Sequence, residues 1–275
     1  MSGPAQRAGR SNARWMHNLM HAGWHDQSMR TIAYALIGCL LLAGCAHTPS
    51  QQARSALAQW TPSPNYDARR PLLIVLHATE QQSAQQSLHT LRTRNSAGPV
   101  SAHYLIGEDG RIYQLVADDA RAWHAGGGSW GTIHDVNNAS IGIELDNDGS
   151  EAFSPEQIDA LVRLLQDLTT RWRIPATQII GHADMAPWRK RDPSARFPWK
   201  HLYDAGFGIW PAADAPPAPD GFDAWQALRV LGYPLRDRAA AARAFHRRFR
   251  GIEEGDNPNA TLDAEDARIL HALTR

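Results

Sequence analysis

Leu72-Leu73-Ile74-Val75-Leu76, followed at once by His77, is a short apolar run entered from Pro71. It reads as a buried strand. Tyr104-Leu105-Ile106 and Ile112-Tyr113-Gln114-Leu115-Val116 flank Glu108-Asp109-Gly110, which predicts a hairpin. Ser140-Ile141-Gly142-Ile143-Glu144-Leu145 is a further strand, ended by Asn147-Asp148-Gly149, and Gln178-Ile179-Ile180-Gly181 is another. Helices are expected between them. Ser83 to Arg92 is one, mostly polar. Ser154 caps a second, with Pro155 in its first position and Gln157 completing a capping box. Ile158, Leu161, Val162, Leu165, Leu168 and Trp172 follow at helical spacing until Pro175. Strands and helices alternate, so the class is α/β, and the hairpin makes the central β-sheet mixed, with helices flanking it.

Beyond residue 210 the pattern changes. Pro211 to Pro219 reads PAADAPPAP, a stiff linker. Phe222–Leu231, Ala239–Phe249 and about Asp263 to Leu273 then read as amphipathic helices of a small all-α C-terminal domain, with Trp225, Leu228, Leu231, Phe245 and Phe249 as its core. The whole chain has 28 Lys+Arg against 28 Asp+Glu, so it lacks the positive charge by which nucleic-acid binders neutralise phosphates. Its 43% hydrophobic content is too high for a disordered chain. The only two cysteines, Cys39 and Cys45, exclude a disulfide framework and a Cys-rich zinc finger. Trp123, Trp130, Trp188 and Trp199 are expected mainly in the core, though aromatic faces also suit sugar rings.

The N-terminus reads as an address. Ile32 to Ala43 is IAYALIGCLLLA, too short to span a bilayer comfortably but suited to the apolar region of a secretory signal. Arg30 precedes it and Leu42-Ala43-Gly44-Cys45 follows. The last four residues resemble a bacterial lipobox, whose cysteine is lipidated and begins the mature chain. Leu36-Ile37-Gly38-Cys39 leaves too short an apolar stretch before it to serve instead. Residues 1–28 make an odd signal start, so Met29 is an alternative initiator. Ala46 stands where an Asp, by resemblance to bacterial lipoproteins, would retain the protein at the inner membrane. The outer membrane, facing the periplasm, is therefore expected. The organisation read here is a signal region at 1–45, a tether at 46–70, a catalytic domain at 71–210, a linker at 211–220 and a helical domain at 221–275.

Two of the thirteen histidines sit where α/β proteins place their sites, directly after strands: His77 after LLIVL and His182 after QIIG. Asp192 follows in GHADMAPWRKRDP. Two histidines and a carboxylate, with a fourth position open, form a catalytic zinc arrangement. Spacing alone leaves a structural role for each of them open.

VLHAT, SAHYLI, AWHAG, SIGIEL and GHADMAPWRKRDP occur in this order and FPW follows. Together they resemble the type-2, AmiD-like family of zinc-dependent N-acetylmuramoyl-L-alanine amidases, over about residues 72–210 and more loosely to the C-terminus. The resemblance implies one Zn²⁺ on His77, His182 and Asp192, with Glu144 as catalytic acid/base and Lys190 stabilising the transition state. It implies substrate contacts at Ala78, Thr79 and His124, and a peptidoglycan-binding-like character for the C-terminal helices. Relatives of the phage branch carry a Tyr where Ala102 stands, so a Tyr-assisted mechanism is not expected. The substrate implied is peptidoglycan or muropeptides, cut between N-acetylmuramic acid and L-alanine. The lipid anchor makes the outer membrane a second partner, and no obligate protein partner is evident. A non-catalytic peptidoglycan-recognition lipoprotein is the alternative, and a wall-tethering lipoprotein with a degenerate site is a third class.

Overall fold

The computed structural model describes residues 54–68, 71–95 and 98–275 of the 275-residue chain. Its centre is a six-stranded sheet in the order Gln59–Trp60, Ile112–Gln114, Tyr104–Ile106, Ser140–Leu145, Leu73–Ala78, Ile179–Gly181. Only the pair Tyr104–Ile106 and Ile112–Gln114 is antiparallel; every other neighbour is parallel. The mixed sheet is therefore as expected, and the hairpin turns at Gly110, whose φ of 74° suits a residue without a Cβ. Leu73–Ala78 lies between two parallel neighbours and is buried throughout. That explains why the opening apolar run has no polar alternation.

One face of the sheet packs Ile74, Leu76, Ile141, Ile143 and Leu145 against Ile158, Leu161, Leu165 and Leu168 of the helix Pro155–Trp172. Ser154 caps that helix as expected, its hydroxyl accepting from the Gln157 backbone N–H at 3.1 Å. Gln157 does not complete a capping box. Its side chain turns into the core and donates to the carbonyls of Ile106 and Asp146 at 3.0 and 2.9 Å. The buried Asp146 carbonyl gains its donor in this way, and the Ile106 carbonyl, which also accepts from the Asp146 N–H at 2.9 Å, gains a second one.

The other face carries the C-terminal helices Ala224–Leu231, Arg238–Arg250 and Ala264–Leu273. Each starts at an aspartate whose side chain accepts a backbone N–H: Asp223, Asp237 and Asp263. All three expected helices are present, but their core is not their own. Leu228, Phe245, Phe249 and Leu270 belong to one apolar cluster with Leu73, Val75 and Ile180 of the sheet and Met185 beside the expected site. Three short helices bury too little surface among themselves, so they close over the face of the sheet left bare by Pro155–Trp172. Trp130 and Trp199 are buried in the two large clusters, Trp188 carries the Arg236 guanidinium on its ring, and Trp123 lines a cavity above the strand ends.

Candidate metal centre

Parallel pairing brings the sequence-predicted residues together. His77 is opposite Glu144 in the register of their strands, while Gly181, the residue before His182, is opposite Leu76. His77 and His182 thus leave neighbouring strands side by side at their carboxyl ends. Asp192 returns on a loop tied back by its own carbonyl, which accepts from the Ala183 N–H at 2.8 Å.

The donor atoms form a small triangle. His77 Nδ1 lies 2.9 Å from His182 Nδ1 and 3.3 Å from Asp192 Oδ2, and His182 Nδ1 lies 3.1 Å from Asp192 Oδ2. All three residues are buried. His182 Nε2 lies 3.1 Å from the Ala125 carbonyl and 3.2 Å from Arg189 Nη2, so protein groups engage that nitrogen while Nδ1 faces the triangle. Three donor atoms this close need a proton or a metal ion between them. Ligands about 2.0–2.1 Å from a tetrahedral zinc stand about 3.3 Å apart, close to the 2.9–3.3 Å separations seen here. The residues present therefore fit a zinc ion.

The electrostatics agree. Burial, reinforced by His182, lowers the pKa of His77 to about 4, so the imidazole is neutral at pH 7 as a metal ligand must be. Burial alone would raise the pKa of Asp192, but His182 and His77 outweigh it and hold the carboxyl well below its ordinary range. Glu144 stands outside the triangle, with Oε1 4.0 Å from His77 Nδ1 and its side chain 13% exposed. Burial, then the charge of Asp192, raises its pKa to about 8, while the Lys190 charge opposes this.

These groups open onto a cavity of about 180 Å³, lined by His77, Glu144, His182 and Lys190 on one side and by Trp123, Val100 and Leu91 on others. Ala78, Thr79 and His124 also line it. The Ala78 side chain belongs to the apolar core, and the Thr79 hydroxyl accepts from the Asn147 N–H at 3.3 Å, which pins the strand end. His124 is engaged with protein groups on both ring nitrogens. Sequence reasoning did not find Arg189, whose Nη2 donates to the Ala125 carbonyl and whose Nε donates to the Gly127 carbonyl at 2.7 Å. Nor did it find Asp184, which accepts from the Gly181 N–H at 2.8 Å, from the Tyr233 hydroxyl at 2.6 Å and from the Arg248 guanidinium. An ionisable residue within three positions of a candidate ligand was the only signal for either. Cys45 lies outside the described residues.

Comparison with known proteins follows this geometry. The family model described as N-acetylmuramoyl-L-alanine amidase matches residues 67–195. The chain is 33% identical over 278 aligned residues to N-acetylmuramoyl-L-alanine amidase AmiD of Escherichia coli K12, covering 89% of this chain and 98% of that protein. It is 36% identical to 1,6-anhydro-N-acetylmuramyl-L-alanine amidase AmpD of Citrobacter freundii, over 52% of this chain and 87% of that one. Among solved structures, the E. coli AmiD complex with anhydro-N-acetylmuramic acid-L-Ala-D-gamma-Glu-L-Lys superposes with a TM-score of 0.65 at 32% identity, covering 80% of this chain and 91% of that chain. AmpDh3 of Pseudomonas aeruginosa gives 0.63 at 32% identity, covering 80% and 96%. By its sequence, its sheet and its C-terminal helices, the chain belongs to the N-acetylmuramoyl-L-alanine amidase family.

Proposed function

We propose that the protein is a zinc-dependent amidase of peptidoglycan turnover or recycling. It hydrolyses the amide between the lactyl group of N-acetylmuramic acid, or its anhydro form, and L-alanine of the stem peptide. The observation that carries this reading is the convergence of His77 Nδ1, His182 Nδ1 and Asp192 Oδ2 within 4.8 Å beside Glu144, at the floor of a cavity. The solved relative bound to an anhydromuropeptide supports the substrate class.

His77, His182 and Asp192 would hold the zinc, which when bound would supply Lewis acidity and a water of pKa about 7. Glu144 accepts a proton from the attacking water and returns it to the departing amine of L-alanine. A carboxyl whose pKa is raised by burial is suited to both transfers near neutral pH. The Lys190 ammonium, on the same cavity wall, meets the negative charge that develops on the carbonyl oxygen. A neutral His77 ring and an ionised Asp192 would hold the metal without competing for the proton that Glu144 handles.

The same reading puts the enzyme on the outer membrane, facing the periplasm, through acyl chains on Cys45. Its support is the sequence Leu42-Ala43-Gly44-Cys45 followed by Ala46. Among the described residues no helix is long and apolar enough to cross a membrane.

The test is peptide release from anhydromuropeptide, read by mass, with bound zinc measured in parallel. A strong chelator abolishes release and added zinc restores it. Glu144→Gln keeps zinc and lowers turnover by about 10²–10⁴-fold, whereas Asp192→Asn loses zinc and rate together. Full activity in a verified zinc-free sample overturns the mechanism. Wild-type binding of zinc and muropeptide without release points instead to a recognition module.

A further inference from the structure

His124 sits on a chain of hydrogen bonds whose directions, for neutral rings, follow from the Val136 carbonyl. Ser140 Oγ lies 2.6 Å from the Val136 carbonyl oxygen, which can only accept, so the hydroxyl proton is committed there. Ser140 Oγ is also 3.2 Å from His124 Nε2, and with its proton spent it accepts the Nε2–H. A neutral imidazole carries a single N–H, so His124 Nδ1 is an acceptor. The group it faces, at 2.9 Å, is His77 Nε2. His77 therefore carries its proton on Nε2 and presents Nδ1 bare, and Nδ1 is the atom in the donor triangle with His182 and Asp192.

The strand below is built to seat this ring. In Ser140–Leu145 every second residue shares a face, and on the face towards His77 these are Ser140, Gly142 and Glu144. Ser140 anchors the His124 ring, and Glu144 stands next to the donor triangle. A Cβ on Gly142 would fall within the His124 ring, so only glycine leaves room for it. Two backbone N–H groups, of His124 and Ala125, donate to Asn137 Oδ1 at 3.0 and 2.8 Å and hold the segment from the other side.

We propose that His124 is a positioning residue. It locks His77 in the Nε2–H tautomer through Ser140 and so aims the Nδ1 lone pair at the metal. This rests on the zinc reading of the site. Outer partners of metal-bound histidines are worth about 10–100-fold in metal affinity. Its role acts through His77, beside the substrate contact that the resemblance implies for this cavity-lining ring.

The experiment measures zinc affinity of the purified full chain by competition with a chromophoric chelator, independently of turnover. Circular dichroism confirms that each variant is folded. His124→Ala is expected to bind zinc about 10–100-fold more weakly. His124→Asn places a side-chain oxygen near the position of Nδ1, where it accepts the His77 Nε2–H, and is expected to recover most of the loss. Ser140→Ala keeps the ring but removes the group that dictates its tautomer, and is expected to lose less than His124→Ala. If the wild type holds no zinc, the zinc reading itself fails. If the wild type holds zinc and His124→Ala binds it equally well, the positioning role fails alone. Equal weakening in folded His124→Ala and His124→Asn also overturns it, because ring packing and not acceptance of a proton would then be what matters.

Discussion

Arg248→Met tests whether the C-terminal helices hold the candidate site together. Arg248 lies in Arg238–Arg250 and pairs with Asp184, two residues after His182; each side chain is 3% exposed. Removing one member of a buried ion pair leaves an uncompensated charge and costs about 3–5 kcal/mol. Two features set the expected value near 3. The Asp184 carboxylate keeps the Tyr233 hydroxyl and the Gly181 N–H as donors. Arg248 Nε is buried without a hydrogen-bond partner, so its removal relieves a cost as well. Against these, the variant loses the 3.1 Å bond from Nη2 to the Ile179 carbonyl and the guanidinium lying 4.1 Å over the Trp199 ring, while methionine keeps most of the apolar stem. Urea unfolding is the assay, with the loss appearing as a lower midpoint at unchanged slope. Zinc affinity is expected to fall with it, because Asp184 Oδ2 holds the backbone of Gly181, which precedes His182. Adding Asp184→Asn to Arg248→Met removes the stranded charge and is expected to restore part of the loss. A change below about 1 kcal/mol, the range of a surface pair, would refute the argument that this buried pair ties the helices to the metal-binding segment.

Three more predictions follow from particular contacts. His246 is held between Glu254 and Asp266 at 2.6 and 2.8 Å; burial lowers its pKa, but Asp266 and Glu254 outweigh that and raise it above 6.5. A raised folded pKa stabilises fully below the unfolded value and is lost as pH rises through the folded one. The urea midpoint should therefore decline with rising pH above about 6.5, and His246→Gln should flatten that decline; parallel profiles would contradict it. Gln157→Ala strands the buried Asp146 carbonyl, while the Ile106 carbonyl keeps the Asp146 N–H, and is expected to destabilise by about 1–3 kcal/mol, read by thermal unfolding, with no effect on zinc content. Cys45→Ser should abolish labelling by radioactive palmitate in cells, and persistence of the label would redirect the anchor to Cys39.

The amino-acid sequence by itself determined what depends on neighbours a few residues apart. The branched run Leu73–Leu76, the turn at Gly110, the cap at Ser154 and the aspartate before each C-terminal helix express local backbone preferences, and those elements stand where periodicity placed them. The candidate ligands were legible for the same reason: in a parallel sheet, residues that end neighbouring strands meet at one edge, so His77 and His182 needed only their strands to be recognised. Tertiary structure alone decided the rest. Gln157 turned into the core and away from its own helix cap because burial made the Asp146 carbonyl the more costly group to leave unpaired. The C-terminal helices joined the core of the sheet because an apolar face still lacked a cover, a fact absent from their own 55 residues. His124 reaches His77 across 47 residues, and Arg248 reaches Asp184 across 64. Contacts over such separations leave no periodic trace in the chain, because they depend on where a loop is carried once both faces of the sheet have been packed.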